Sequence, residues 1–132
     1  MGAWAVSIYG QPRYTGDLDI FIRKSSENAD RLLSALSDFG FGSVGFSKAD
    51  FLKSNSVIQL GYEPNRIDIL TDISGVDFDK AWQKRELVKS EGLEIPFISR
   101  KHLIENKKAI GRAKDLADIE NLEKHRRLGI DR

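Results

Sequence analysis

Three aspartates carry the chemistry that this sequence could perform. Asp17 and Asp19 stand two apart in Asp17-Leu18-Asp19-Ile20-Phe21-Ile22-Arg23, and Asp68 stands in the middle of Arg66-Ile67-Asp68-Ile69-Leu70. Residues i and i+2 of a strand share a face. Asp17 and Asp19 therefore project together, roughly 7 Å apart at Cα, while Leu18 and Ile20 turn to the core. Two like charges so placed repel, and burying either is costly unless a cation compensates. An oxygen-only site without His or Cys favours Mg²⁺ over zinc. If the Asp68 strand pairs beside the first, three carboxylates converge from two strands. Such a set can hold two metals about 4 Å apart, activate an attacking hydroxyl and stabilise a leaving pyrophosphate. Plainer readings exist for each part. Asp-x-Asp is common at turns and strand starts, and Asp68 can simply pair with Arg66. Metal-dependent sugar transferases share the dipeptide, but they need a larger nucleotide-binding α/β domain than 132 residues supply.

The elements that must position these carboxylates can be read from punctuation and periodicity. Gly2 to Tyr9 is short and mostly apolar, and Gly10, Pro12 and Gly16 then break the chain. The stretch from Asp17 to Arg23 reads as a strand. Ser25 or Ser26 caps a helix with Ala29, Leu32, Leu33, Leu36 and Phe39 inward, ended by Gly40. A turn of helix is expected near Ala49–Leu52. Residues 56–62 and 66–72, on either side of Glu63-Pro64-Asn65, predict an antiparallel hairpin. Asp77 is placed as the N-cap of a helix carrying Phe78, Ala81 and Trp82. A strand over 94–98 follows, and then a helix capped by Ser99 with Leu103, Ile104 and Ile110 inward. Gly111 breaks that helix, and Leu116, Ile119 and Leu122 mark a last one stopped by Gly129. Strands and helices mix without a regular βαβ repeat, so the expected class is α+β, a small mixed sheet flanked by helices in one domain over residues 1–132. His102 and His125 are expected on the surface. Trp4, Trp82, Phe39, Phe41 and Phe78 are expected in the core, and Tyr9 and Tyr14 flank the loop, where they could stack a base but packing is the default. Asp72 is assigned to a strand-end turn.

Composition narrows the function classes. Hydrophobic residues make up 40% and charged residues 31%, the balance of an ordinary globular domain. No apolar run approaches the ~18 residues of a membrane span and no secretory leader is evident, so a soluble cytoplasmic protein is expected. Disulfides and thiolate metal sites are excluded, because the chain has no cysteine. The net charge is only +1, but from Ser99 onward ten Lys and Arg face six Asp and Glu, against eleven and fourteen before it. A basic C-terminal part beside an acidic body could attract phosphates, or could be a solvated helix surface.

Gly2-Ala3-Trp4-Ala5-Val6, followed by Gly10, Arg13, Thr15 and Asp17-Leu18-Asp19-Ile20, resembles the pattern of the DNA polymerase β-type nucleotidyltransferase superfamily. There a Gly-Gly or Gly-Ser opens a short helix ahead of an Asp-x-Asp strand. Three further runs are similar to bacterial minimal nucleotidyltransferases related to abortive-infection toxins. They are Arg66-Ile67-Asp68-Ile69-Leu70-Thr71, the stretch from Gly75 to Trp82, and the stretch from Asn106 to Asp118. Small antibiotic adenylyltransferases share the Trp4, Arg13, Thr15, Asp17 and Asp19 spacing. The resemblance covers nearly the whole chain. It implies Mg²⁺-dependent transfer of a nucleoside monophosphate from an NTP to a hydroxyl acceptor, such as tRNA, a protein or a small molecule, within a toxin–antitoxin system. Asp17, Asp19 and Asp68 would be the catalytic and metal-binding residues. Gly2, Ala3, Arg13, Lys107, Arg112, Lys114 and Asp115 would serve the nucleotide, the cations at its phosphates and Asp115 as an orienting carboxylate. Relatives have Gly or Ser where Ala3 stands, and a helix and first strand ahead of the glycine motif. These departures carry the alternative of a catalytically degenerate module that acts through a cognate toxin or antitoxin or as a homo-oligomer. Antibiotic adenylylation is a third reading.

Overall fold

The structure is a computed structural model. It describes residues 18–42, 45–62 and 66–127, with the side chains of the last helix described as far as residue 123. Its elements in chain order are β1 (Leu18–Phe21), α1 (Ser26–Asp38), a 3₁₀ turn (Lys48–Phe51), β2 (Val57–Leu60), β3 (Ile67–Leu70), α2 (Phe78–Gln83), β4 (Glu86–Ser90), β5 (Leu93–Phe97), α3 (Arg100–Ile110) and α4 (Ala113–Arg127). The architecture is mixed α+β. Among the described residues, no helix is long and apolar enough to cross a membrane.

Side-chain caps set the helix starts where the sequence places them. The Ser25 hydroxyl accepts from the Asn28 amide, the Asp77 carboxylate from Lys80 and the Ser99 hydroxyl from His102; each satisfies one of the orphan donors of a first turn. Gly111 closes α3 in the left-handed region at φ +72°, which costs glycine nothing.

The main sheet has the order β1-β3-β2. β2 and β3 are antiparallel, Ile58 opposite Ile69 and Leu60 opposite Ile67, as expected for the pair flanking Pro64. β1 runs parallel to β3, with Ile20 opposite Ile69. Alternation then puts Ile58, Leu60, Ile67 and Ile69 on one face. There they join Ile22, Phe51 and the Ala29 and Leu36 side of α1 in the first core cluster. Phe39, expected inward, is 82% exposed: it lies past the last turn of α1, where the helix no longer aims it at the sheet.

β4 and β5 form a separate antiparallel pair, Glu86 opposite Phe97 through Ser90 opposite Leu93. The sequence reading has no strand over 86–90, because its charged and polar residues hide the apolar alternation. The loop Glu91-Gly92 has both residues at positive φ, 51° and 80°, the requirement of a tight hairpin turn. A second core cluster gathers Ile98, Leu103 and Leu122 with Ile73, Phe97 and Ile104, binding the α3–α4 hairpin to the end of β5. Gly75 sits in the turn after β3 at φ +74°, where a Cβ would lie 2.7 Å from the Ala109 Cβ of α3. Asn106 of α3 donates to the Ser74 carbonyl in the same turn at 2.9 Å. That close approach joins the sheet to the helices.

Candidate functional site

The parallel register places Asp19 directly opposite Asp68. Neighbouring strands lie about 4.8 Å apart, and residues in register point to the same face. Two of the three carboxylates flagged in the sequence are thus side by side on the sheet face opposite the core. Asp17 lies outside the described residues, as do Gly2, Ala3 and Arg13. Arg66 grips Asp68 with both nitrogens of its fork, Nε to Oδ1 at 2.8 Å and Nη2 to Oδ2 at 3.1 Å. Asp68 is only 9% exposed, so its charge is balanced by a guanidinium at the point where desolvation would otherwise penalise it. The ion pair weighed as the plainer reading therefore coexists with the convergence of Asp19 and Asp68. Among the described residues, no three acidic or histidine side chains are grouped to hold a metal ion. The donors that do meet here are carboxylate oxygens, the chemistry that suits Mg²⁺.

Beside Asp19 a cleft of about 300 Å³ opens along the edge of β1. Leu18–Phe21 line one side, Phe78, Trp82 and Arg85 another, and Ile95 and Phe97 of β5 a third. Phe21 meets Phe78 edge-on with centroids 5.0 Å apart, and Phe78 stacks on Trp82 at 6.0 Å. The Arg85 guanidinium lies 4.0 Å from the Trp82 ring centroid, within cation–π range. Trp82, expected in the core, is 40% exposed. Sequence reasoning missed this cleft, because it depends on β5 approaching the edge of β1, and neither strand encodes that alone.

The C-terminal residues assigned to phosphates form a group of their own. Lys107 is 4% exposed, with Nζ 3.1 Å from Asp115 and 3.2 Å from Asp118. Asp115 has no exposed surface and also receives Arg112, Nε to Oδ2 at 2.7 Å. Burial pushes the Asp115 carboxyl up most strongly. Hydrogen bonds from Arg112 and Lys107, with their charges, outweigh it and hold the group below the ordinary carboxylate range. Asp115 in turn raises the Arg112 guanidinium through its hydrogen bond and charge. Asp115 thus orients two of the flagged cations, Lys107 and Arg112, across the α3–α4 turn, and Asp118 joins them. Lys114 is exposed. His102, expected on the surface, is buried, its Nδ1 3.0 Å from the Ser99 hydroxyl; the N-cap geometry folds it back against its own turn. Compared with known proteins, the chain matches no family model, and no curated protein matches it.

Proposed function

We propose that this chain is a nucleotidyltransferase, transferring a nucleoside monophosphate from an NTP to a hydroxyl acceptor at Asp19 and Asp68. The observation that carries the reading is the register of β1 and β3, which sets those carboxylates next to each other on the sheet face opposite the core. In the reaction the acceptor oxygen bonds to the α-phosphorus, and the bond from that phosphorus to the bridging oxygen of the pyrophosphate breaks. Asp68 would take the hydroxyl proton, and Arg66, fixed on it by two hydrogen bonds, would hold its orientation. Asp19 and Asp68 would bind Mg²⁺, which when bound supplies the positive charge that a triphosphate and a departing pyrophosphate need.

Incubation of folded, full-length protein with labelled NTPs, Mg²⁺ and RNA, protein and small-molecule acceptors should transfer label, and Asp19→Ala should abolish transfer. Folded protein that transfers no label to any acceptor class would overturn the reading. The ion pair itself favours a second reading, a non-catalytic module, because Arg66 already neutralises Asp68 without any ligand. That reading requires calorimetry to detect no binding of Mg²⁺–NTP.

A further inference from the structure

The cleft beside Asp19 has a chemistry of its own. At about 300 Å³ it stands at the small end of ligand sites, a size for one ring system rather than a whole nucleotide. Its walls are aromatic and aliphatic, from Phe21, Phe78, Trp82 and Ile95, and among the described residues only Asp19 and Arg85 bring charge to it. Asp68 does not line it. The cleft therefore opens on the Asp19 side of the carboxylate pair, away from Asp68. Arg85 is pinned twice, by packing over Trp82 at 4.0 Å and by an Nη1 hydrogen bond to the Trp82 carbonyl at 2.8 Å. A guanidinium carries five N–H donors and no acceptor, so Arg85 brings a planar, donor-only group to the lining of the cleft, with one donor used on the Trp82 carbonyl.

The group that suits such a slot is flat, uncharged and bears two neighbouring acceptors on one edge. Guanine offers O6 and N7 in that arrangement, the commonest bidentate partner of arginine, whereas adenine sets an amino donor beside its N7. We infer that the cleft seats the base of the donor nucleotide and that Arg85 selects guanine over adenine. This rests on the nucleotidyl-transfer reading above and adds to it the identity of the substrate.

The test uses the full chain with Trp4→Phe, which leaves Trp82 as the sole tryptophan. It is titrated with GTP, ITP, 7-deaza-GTP and ATP, each with Mg²⁺, by tryptophan fluorescence and by calorimetry in parallel. ITP keeps the O6 and N7 edge, whereas 7-deaza-GTP loses N7. GTP and ITP should bind about tenfold more tightly than ATP and 7-deaza-GTP and should change the Trp82 emission. Arg85→Gln should bring GTP down to the ATP level with an unchanged circular dichroism spectrum, and Arg85→Lys, which lacks the fork, should lose the ITP advantage as well. A GTP preference that survives Arg85→Gln would overturn the inference. So would nucleotide binding seen by calorimetry without any change at Trp82, or equal affinity for all four nucleotides. Each of these leaves nucleotidyl transfer standing. Failure to bind any nucleotide would remove both.

Discussion

Asp115 stays ionised with no exposed surface because Lys107 and Arg112 reach it from two directions. Their contributions differ with exposure. Lys107 is buried between two carboxylates, whereas the Arg112 side chain is 65% exposed and its pairing is screened by water. Lys107→Met should leave Asp115 and Asp118 buried without their ammonium and cost about 3 to 5 kcal/mol. Arg112→Ala should cost less than about 1 kcal/mol, and urea denaturation of the two variants would measure the gap. The lysine flagged as a phosphate ligand thus has a packing role that any activity assay of Lys107 variants must separate from binding. Asp72 is a clamp of another kind. Lys24 holds its carboxylate at 2.6 and 2.7 Å, and the Asn55 amide, on a residue at φ 52°, donates to it at 2.7 Å. The Lys24 hydrogen bond, with that of Asn55, holds the Asp72 carboxyl below the ordinary range. A depressed carboxyl stabilises fully above that range and loses its contribution as pH falls through the folded value, below about pH 4. Asp72→Asn should cost about 1 kcal/mol at pH 7, after allowance for its partial exposure. The difference from wild type should narrow as thermal melts move below pH 4.

At the scale of elements, the punctuation residues were legible and the pairings were not. Ser25, Asp77, Ser99 and Gly111 each stand at the boundary their chemistry dictates, because a cap is a local event. Asp19 and Asp68 were legible as a candidate pair only on the condition that their strands lie together, since parallel register is decided by the whole chain between them. β4 was not legible, because its half-buried positions are Glu86 and Val88 while Leu87 is exposed, so the apolar residues do not alternate with the burial. Asp118 was missed as a partner of Lys107 because only the reversal at Gly111 brings α4 back onto α3. Gly75 shows how a turn can matter more than a strand. Its positive φ and the 2.7 Å approach to Ala109 predict that Gly75→Ala costs about 3 kcal/mol, from left-handed strain plus overpacking. Adding Ala109→Gly should recover the part of the steric cost that comes from the Ala109 Cβ, leaving the Glu105 carbonyl at 3.2 Å. Gly40→Ala, at φ +91° with nothing within 4 Å, should cost only about 1 kcal/mol. Equal losses at the two glycines would deny the tight turn-to-helix approach.

Among the described residues the buried apolar side chains gather in two clusters, one between the sheet and α1 and one between the α3–α4 hairpin and the end of β5. The cleft lies near where β5 passes the edge of β1. β3 is paired on both sides, and Ile69 is almost wholly buried, whereas β4 and β5 pair with each other and expose Leu87 and Leu93. Amide exchange follows local opening, so the β4–β5 hairpin should exchange well before β3 in the protein alone. Mg²⁺ with GTP then distinguishes two placements of the nucleotide. If the base enters the cleft, exchange should slow in β1, α2 and β5. If the cations of the C-terminal part hold the phosphates, it should slow at the start of α4 as well. The saturation of Lys107 by Asp115 and Asp118 argues for the first pattern. An ammonium already shared by two carboxylates has little charge left for a triphosphate, and moving it would strand two buried acids. Slowing confined to α3 and α4, with β1, α2 and β5 unchanged, would move the nucleotide off the sheet and onto the helical hairpin.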